Sequence, residues 1–166
     1  TASVGNLGAT SDKVKSEKIF KNIFFANYWI IAFSSLMLIA LFNPFIRLWA
    51  GEDYLLSFGV VLFIVLNFYL FGMRKAVMSF KTAFGLFWYD RYRPFLEAIA
   101  GIALMIILGN RIGLIGIFIG NSMTNIISLC IEPYVLYRYG FEMKNRSFYL
   151  KYLLYFGLII IFIIFF

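Results

Sequence analysis

The feature that most constrains this chain is its series of apolar runs, each about as long as a membrane is thick. A helix needs about 20 apolar residues to cross a hydrocarbon core of roughly 30 Å. Of the 166 residues, 63% are hydrophobic and 14% are charged, whereas soluble domains have about 45–50% apolar and about 25% charged residues. A soluble fold of this length has too little interior for so many apolar side chains. The sequence therefore predicts an all-α, polytopic transmembrane helix bundle.

The apolar runs predict five membrane spans, at about residues 23–43, 54–73, 93–109, 114–137 and 149–166. Pro44 follows the first run and is expected to end that helix, because proline lacks a backbone N–H. Residues 76–88 are apolar but too short to span. They either continue the second helix or lie along the interface as an amphipathic segment. Since the chain begins at Thr1 without an initiator Met and ends at Phe166 within an apolar run, we expect it to be the C-terminal bundle of a longer transporter.

The basic residues between the runs predict an orientation. If the five spans alternate in direction, residues 13–21, 74–93 and 138–151 lie on one side, and of the 15 basic residues only Arg47 and Arg111 lie on the other. The positive-inside rule makes the basic side cytoplasmic, together with residues 1–22. Topology therefore explains the net charge of +7 without a nucleic-acid partner. Tyr134, Tyr137 and Tyr139 are expected to anchor the inner end of the fourth span at the interface.

Polar residues within the apolar runs are candidates for function, because each costs free energy in hydrocarbon. Glu132 could bind a coupling cation, carry a proton or pair with an arginine; alternatively it is an interfacial carboxylate within reach of Arg138. Glu97 lies one helical turn after Arg93, so an ion pair between them explains it without a transport role. The candidate intramembrane polar residues are Glu132, Glu97, Asn67, Asn121 and Asn125.

The amide and hydroxyl side chains of these runs favour helix packing. Asn67, Asn121, Asn125 and Ser122 could line a polar cavity, but hydrogen bonds between helices are the simpler interpretation. Small residues also recur along the fourth run, at Gly113, Gly116 and Gly120. Their spacing predicts a smooth ridge on which another helix can approach closely.

Catalytic chemistry is not indicated. The chain has no histidine and one cysteine, and it contains no phosphate-binding loop, zinc-ligand spacing or nucleophile–base pattern. We therefore predict a protein that is not an enzyme and has no catalytic residue, metal or cofactor. The alternative is a membrane glycosyltransferase or polymerase that uses Glu52 and Asp53 in an external loop; a solvated turn is the simpler interpretation of that pair.

Basic residues between the second and third spans form a candidate site for an anionic headgroup. The guanidinium groups of Arg74, Arg91 and Arg93 suit such a ligand through their bidentate geometry, and Lys75 and Lys81 lie beside them. Attraction to anionic membrane lipid, together with topology, explains the same residues without a substrate.

Four stretches, in order along nearly the whole chain, resemble one family. They are SVGNLGATSDKVKSEKIFKNIFFANYWI, NPFIRLWAGEDYLL, MRKAVMSFKTAFGLFWYDRYRPFLEAIAGIALMIIL and RIGLIGIFIGNSMTNIISLCIEPYVLY. Together they look like the C-terminal half of a bacterial polysaccharide (O-antigen or capsule repeat-unit) flippase. Such proteins belong to the multidrug/oligosaccharidyl-lipid/polysaccharide exporter superfamily.

The resemblance implies a function and a set of partners. The expected activity is transfer of an undecaprenyl-pyrophosphate-linked oligosaccharide from the inner to the outer leaflet of the bacterial cell membrane, through a cationic cavity between two helical bundles. Asn6 would lie in a Gly-Asn-Leu turn, and Arg74, Arg91 and Arg93 in the basic connection as headgroup ligands. The implied partners are membrane lipid, the lipid-linked oligosaccharide, and polysaccharide polymerase and chain-length proteins. Another exporter of the superfamily, for a teichoic-acid precursor or a drug, is the alternative.

Overall fold

The structure, a computed structural model, describes residues 13–165, with side chains up to residue 161, and this part of the chain is mostly helical. The helices are α1 (Lys13–Trp49), α2 (Phe58–Ala83), α3 (Arg93–Ile112), α4 (Leu114–Val135) and α5 (Arg146–Phe165). Between residues 13 and 165 there is no strand, so the all-α prediction is confirmed. The predicted turn at Asn6 lies outside the described residues.

Within the described residues, four helical segments are long and apolar enough to cross a membrane: Lys13–Trp49, Phe58–Ala83, Leu86–Ile112 and Leu114–Phe141. The second and third segments differ from the predicted spans, 54–73 and 93–109, by only a few helical turns at their ends. The predicted fifth span, 149–166, overlaps α5, but residue 166 and the side chains after residue 161 lie outside the described part. Four membrane-length helices are therefore observed, and the fifth crossing stays a prediction.

Helix α2 lies at the centre of the bundle, where it packs against α1 on one side and α4 on the other. Helix α3 packs mainly on α4, and α5 lies against α1. Because consecutive helices run in opposite directions, the start of α1, the end of α2 and the start of α3 meet at one end of the bundle with the end of α4. We call this the basic end of the bundle. An ion pair between Lys13 and Glu142 lies there.

Aromatic rings fill the core at the basic end. The ring of Phe20 is fully buried and lies 5.0–6.1 Å from five other rings, those of Phe24, Phe80, Tyr137, Phe141 and Phe148. The prediction that Tyr137 anchors the interface is therefore wrong: this ring is 1% exposed and faces the bundle. Tyr134 and Tyr139, on other faces of the same segment, are exposed.

Helix α1 does not end at Pro44, contrary to prediction, but continues to Trp49. A proline inside a helix leaves one carbonyl without its usual donor, and membrane helices tolerate this where neighbouring groups compensate. Here the Asn43 side chain donates to the Leu56 carbonyl at 2.9 Å and ties α1 to the chain before α2. The helix ends at Trp49, and two residues later Gly51 has a φ of 103°, which favours glycine.

Residues 76–88, for which two alternatives were open, mostly extend a helix. Helix α2 continues through Ala83, then Gly85 adopts a left-handed conformation with φ of 66°. A short 3₁₀ turn, Leu86–Asp90, follows and leads into α3. The turn folds back on the bundle, with the ring of Tyr89 stacked 4.0 Å from that of Tyr139.

Glycines bring α3 and α4 into close contact, as the small-residue spacing predicts. A Cβ added at Gly116 would lie 2.2 Å from the Leu108 carbonyl oxygen, and one at Gly120 would lie 2.9 Å from the Met105 nitrogen. Gly113 plays a different part from the one predicted. It has open space around it and a φ of 66°, so it forms the turn between the two helices.

We expect Gly116→Ala to lower the free energy of unfolding by about 1–3 kcal/mol, because its methyl group must displace backbone rather than a flexible side chain. Gly157→Ala is the matched control, since a Cβ there meets no atom within 4 Å and alanine favours the helix. Unfolding by denaturant in detergent micelles measures both. Equal midpoints for the two variants would contradict this account of the α3–α4 contact.

Candidate functional site

Three polar side chains of α2 share one buried stripe. Asn67, Arg74 and Lys81 recur every seven residues, which is close to two helical turns, and they are 8%, 6% and 5% exposed. Arg74 lies about 14 Å before the end of α2, at 1.5 Å per residue. A charge that deep in an apolar bundle needs partners, and the structure provides them from α3 and α4.

Arg74 connects α2 to both neighbouring helices. Its Nε and Nη2 donate to the two carboxylate oxygens of Glu132 on α4, at 3.2 and 2.9 Å. Its Nη1 donates to Asn125 Oδ1 at 2.6 Å and to Glu97 Oε1 on α3 at 3.0 Å. The bidentate contact is the strongest geometry available to an arginine and a carboxylate.

Arg93, the first residue of α3, approaches the same carboxylates from the basic end. Its Nη2 lies 2.8 Å from Glu132 Oε1, and its Nη1 lies 2.5 Å from Glu97 Oε2. The Nη1 also donates to Ser128 Oγ at 3.0 Å. The Nε donates at 3.0 Å to Asp90 Oδ2, the same carboxylate oxygen that pairs with Lys81.

We call these six ionised residues the charge network: Arg74, Lys81, Asp90, Arg93, Glu97 and Glu132. Three are cations and three are carboxylates, so their formal charges cancel. Isolated, each would be very costly to bury; paired, they are tolerated. The network joins α2, α3, α4 and the Leu86–Asp90 turn in one place. It also contains two of the predicted headgroup ligands, Arg74 and Arg93, with their charge already neutralised.

Of the alternatives open for Glu132, the structure shows pairing with arginine. Its side chain is fully buried and contacts Arg74 and Arg93, so the expectation of an interfacial carboxylate near Arg138 is wrong. Arg138, six residues further along, is exposed, whereas Glu132 is fully buried. The predicted pair of Arg93 with Glu97 is confirmed, although each also binds a further partner.

Asparagines extend the polar contact between α2 and α4 deeper into the bundle. Asn125 Nδ2 donates to Asn67 Oδ1 at 3.2 Å, and Asn67 Nδ2 donates to the Phe118 carbonyl at 3.0 Å. Hydrogen bonds between helices are thus confirmed for both residues. Ser122 instead bonds within α4, to Phe118. Asn121 is half-buried one turn away and contributes its backbone carbonyl to Asn125.

Sequence reasoning missed Asp90, Ser128 and the pairing of Lys81. A signal for Lys81 was present, because Asn67, Arg74 and Lys81 repeat at seven-residue spacing along one apolar helix. Asp90 gave no comparable signal: it reaches Lys81 only because the chain reverses at Gly85. Ser128 lies one turn from both Asn125 and Glu132 on the same face of α4, a spacing that predicts a shared polar stripe.

A cleft of about 520 Å³ opens beside the charge network, between α3 and α4 at the basic end. Its mouth contains Arg91, the third predicted headgroup ligand, which lies outside the network. The Arg91 guanidinium is stacked 3.9 Å from the centre of the Trp88 ring and 4.6 Å from that of Tyr92.

The alternative site at Glu52 and Asp53 is an exposed turn at the opposite end of the bundle. Glu52 pairs with Arg47 at 3.1 Å, and both side chains are mostly exposed. Among the residues whose positions are described, no group of three His, Cys, Asp or Glu side chains could hold a metal ion. Cys130 is a free, exposed thiol.

Comparison of the chain with protein-family models, curated proteins and solved structures finds no match.

We expect Glu132→Gln to destabilise the bundle by about 3–5 kcal/mol, because it leaves the buried Arg74 and the part-buried Arg93 facing a neutral group. The matched control is Glu52→Gln, which removes an exposed ion pair and is expected to cost about 1 kcal/mol or less. Unfolding in detergent micelles measures both changes.

A double variant tests whether the pairing of Arg74 with Glu132 is itself responsible for this loss of stability. Arg74→Gln combined with Glu132→Gln removes one charge of each sign, so we expect a loss clearly smaller than the sum of the two single losses. Additive losses would contradict direct coupling between these residues.

Proposed function

We propose that this protein is a flippase that moves a lipid-linked oligosaccharide with an anionic headgroup across the bacterial cell membrane. The observation that carries the proposal is the charge network buried between α2, α3 and α4. Buried ion pairs contribute little net stability compared with apolar packing. In membrane helices they usually mark a pathway for substrate or ions. The ordered resemblance to polysaccharide flippases supports the choice of cargo.

The network gives such a transporter a way to bind an anion reversibly. A pyrophosphate has to be kept out of hydrocarbon during crossing, because exposing it there is very costly. Arg74 and Arg93 each present a planar fork that binds phosphate oxygens as well as it binds carboxylates. In the proposal, the headgroup displaces Glu97 or Glu132 from these arginines, so each arginine keeps an anionic partner.

Displacement of a carboxylate would also free the helices to move. Glu132 binds arginines from α2 and α3 at once, so its release loosens α4 from both neighbours. We infer that this exchange couples cargo binding to the change between inward-open and outward-open states. The basic end is then cytoplasmic, in agreement with the positive-inside rule.

Deletion of the gene is expected to trap lipid-linked repeat units in the inner leaflet, where a membrane-impermeant glycan-cleaving enzyme added outside cannot reach them. Normal surface glycan in a deletion strain without a related gene would contradict the proposal. Cargo that turns out to be a teichoic-acid precursor or a drug would support the alternative exporter instead.

Complementation with arginine variants tests the role of the network. Arg74→Lys keeps the charge but loses the bidentate fork, so we expect at least a tenfold loss of glycan export at equal protein level in the membrane. Arg47→Lys, at an exposed ion pair, is the matched control and should export normally. Equal export by both variants would show that the charge network has no role in export.

The membrane glycosyltransferase alternative makes the opposite prediction for the external acids. Glu52→Ala combined with Asp53→Ala would abolish glycan assembly in a transferase, whereas a flippase should tolerate the change. Analysis of the lipid-linked intermediates separates the two, because a transferase defect shortens the oligosaccharide and a flippase defect leaves it complete.

A further inference from the structure

The cleft between α3 and α4 has an apolar wall that is separate from the charge network and lies open beside the packed helices. It extends along α3 from Arg93 to Ala100, a length of about 10 Å. Its side is open, and most of the surface that it presents is apolar. The apolar residues that form its wall are Leu96, Ala100, Ile127, Ile131 and Val135.

Arg91 lies at the mouth of this cleft with its charge available. Its neighbours Lys81 and Arg93 both pair with Asp90, but within the described residues no carboxylate lies within ion-pair distance of Arg91. Its guanidinium carbon lies 3.9 Å from the centre of the Trp88 ring and 4.6 Å from that of Tyr92. Since aromatic rings attract a cation without neutralising its charge, the guanidinium can still donate to an anion.

The carboxylates that line the cleft do not oppose an anion there. Asp90 and Glu97 both accept hydrogen bonds from Arg93, and each has a second cationic partner, Lys81 and Arg74 respectively. Their negative charge is thus neutralised within the network. Arg91 supplies the uncompensated charge at the mouth.

We propose that this cleft binds an anionic phospholipid of the surrounding membrane, with its phosphate on Arg91 and one acyl chain along the apolar wall. Charge complementarity assigns the headgroup, and the wall explains why the ligand is a lipid: a free phosphate would leave that surface uncovered. Tyr and Trp at the mouth suit the headgroup depth of a membrane. The inference goes beyond the proposed transport, since a resident lipid binds whether or not a cargo is moved.

Native mass spectrometry of the purified protein tests the site, with phosphatidylglycerol and phosphatidylcholine as probes. We expect phosphatidylglycerol to bind several-fold more tightly. Arg91→Gln should lower its affinity about tenfold, the factor for one charge-assisted hydrogen bond. Arg138→Gln is the matched control, because Arg138 is an exposed cation of the same end that does not line the cleft. Equal effects of the two variants, or equal affinity for the two lipids, would overturn the proposal.

A second variant tests the acyl-chain wall. Ala100→Phe fills the cleft from an exposed position on α3 and should weaken phosphatidylglycerol binding several-fold, while inorganic phosphate should not displace the lipid. Displacement by inorganic phosphate, together with no effect of Ala100→Phe, would show a free-phosphate site and overturn the assignment to lipid. Lipid binding and its displacement by phosphate can be measured in a protein that does not transport. This test is therefore separate from the test of the flippase.

Discussion

The contact of Glu132 with two arginines is the interaction on which the described bundle most depends. The carboxylate is fully buried and binds Arg74 from α2 and Arg93 from α3. A buried charge without a partner is strongly destabilising, so the buried Arg74 and Glu132 depend on this contact. Since the three residues come from three helices, the requirement to pair buried charges fixes how α2, α3 and α4 pack against one another.

Close packing of α4 on α3 keeps the distances within the charge network short. Gly116 and Gly120 allow α4 to contact the backbone of α3, which brings Glu132 within reach of a side chain at the start of α3. On the opposite side of α2, the aromatic cluster around Phe20 holds α1 and α5 at the same end. The described bundle therefore combines an aromatic side with a polar side that contains the charge network.

Local features of this molecule were predictable from sequence, whereas its long-range contacts were not. Apolar runs predicted the helices, glycine spacing predicted the α3–α4 contact, and helical spacing predicted the pair of Arg93 with Glu97. Each depends on neighbours in sequence. The partners of Glu132 could not be predicted, because Arg74 is separated from it by two helix reversals. The continuation of α1 through Pro44 was not predicted either. Asn43 in this part of the helix donates to the Leu56 carbonyl, which lies beyond the turn.

The basic residues near α3 divide into two kinds, and this division affects how an anion can bind. An anion that reaches Arg74 or Arg93 must first displace a carboxylate, so binding there is an exchange that costs existing hydrogen bonds. An anion that reaches Arg91 displaces no carboxylate, because that guanidinium is held by aromatic rings. The first arrangement suits a cargo that has to leave again, and the second suits a lipid that remains. Arg91, which contacts aromatic rings, and Arg93, which is ion-paired, lie only two residues apart near the start of α3. The two arginines can therefore bind different ligands.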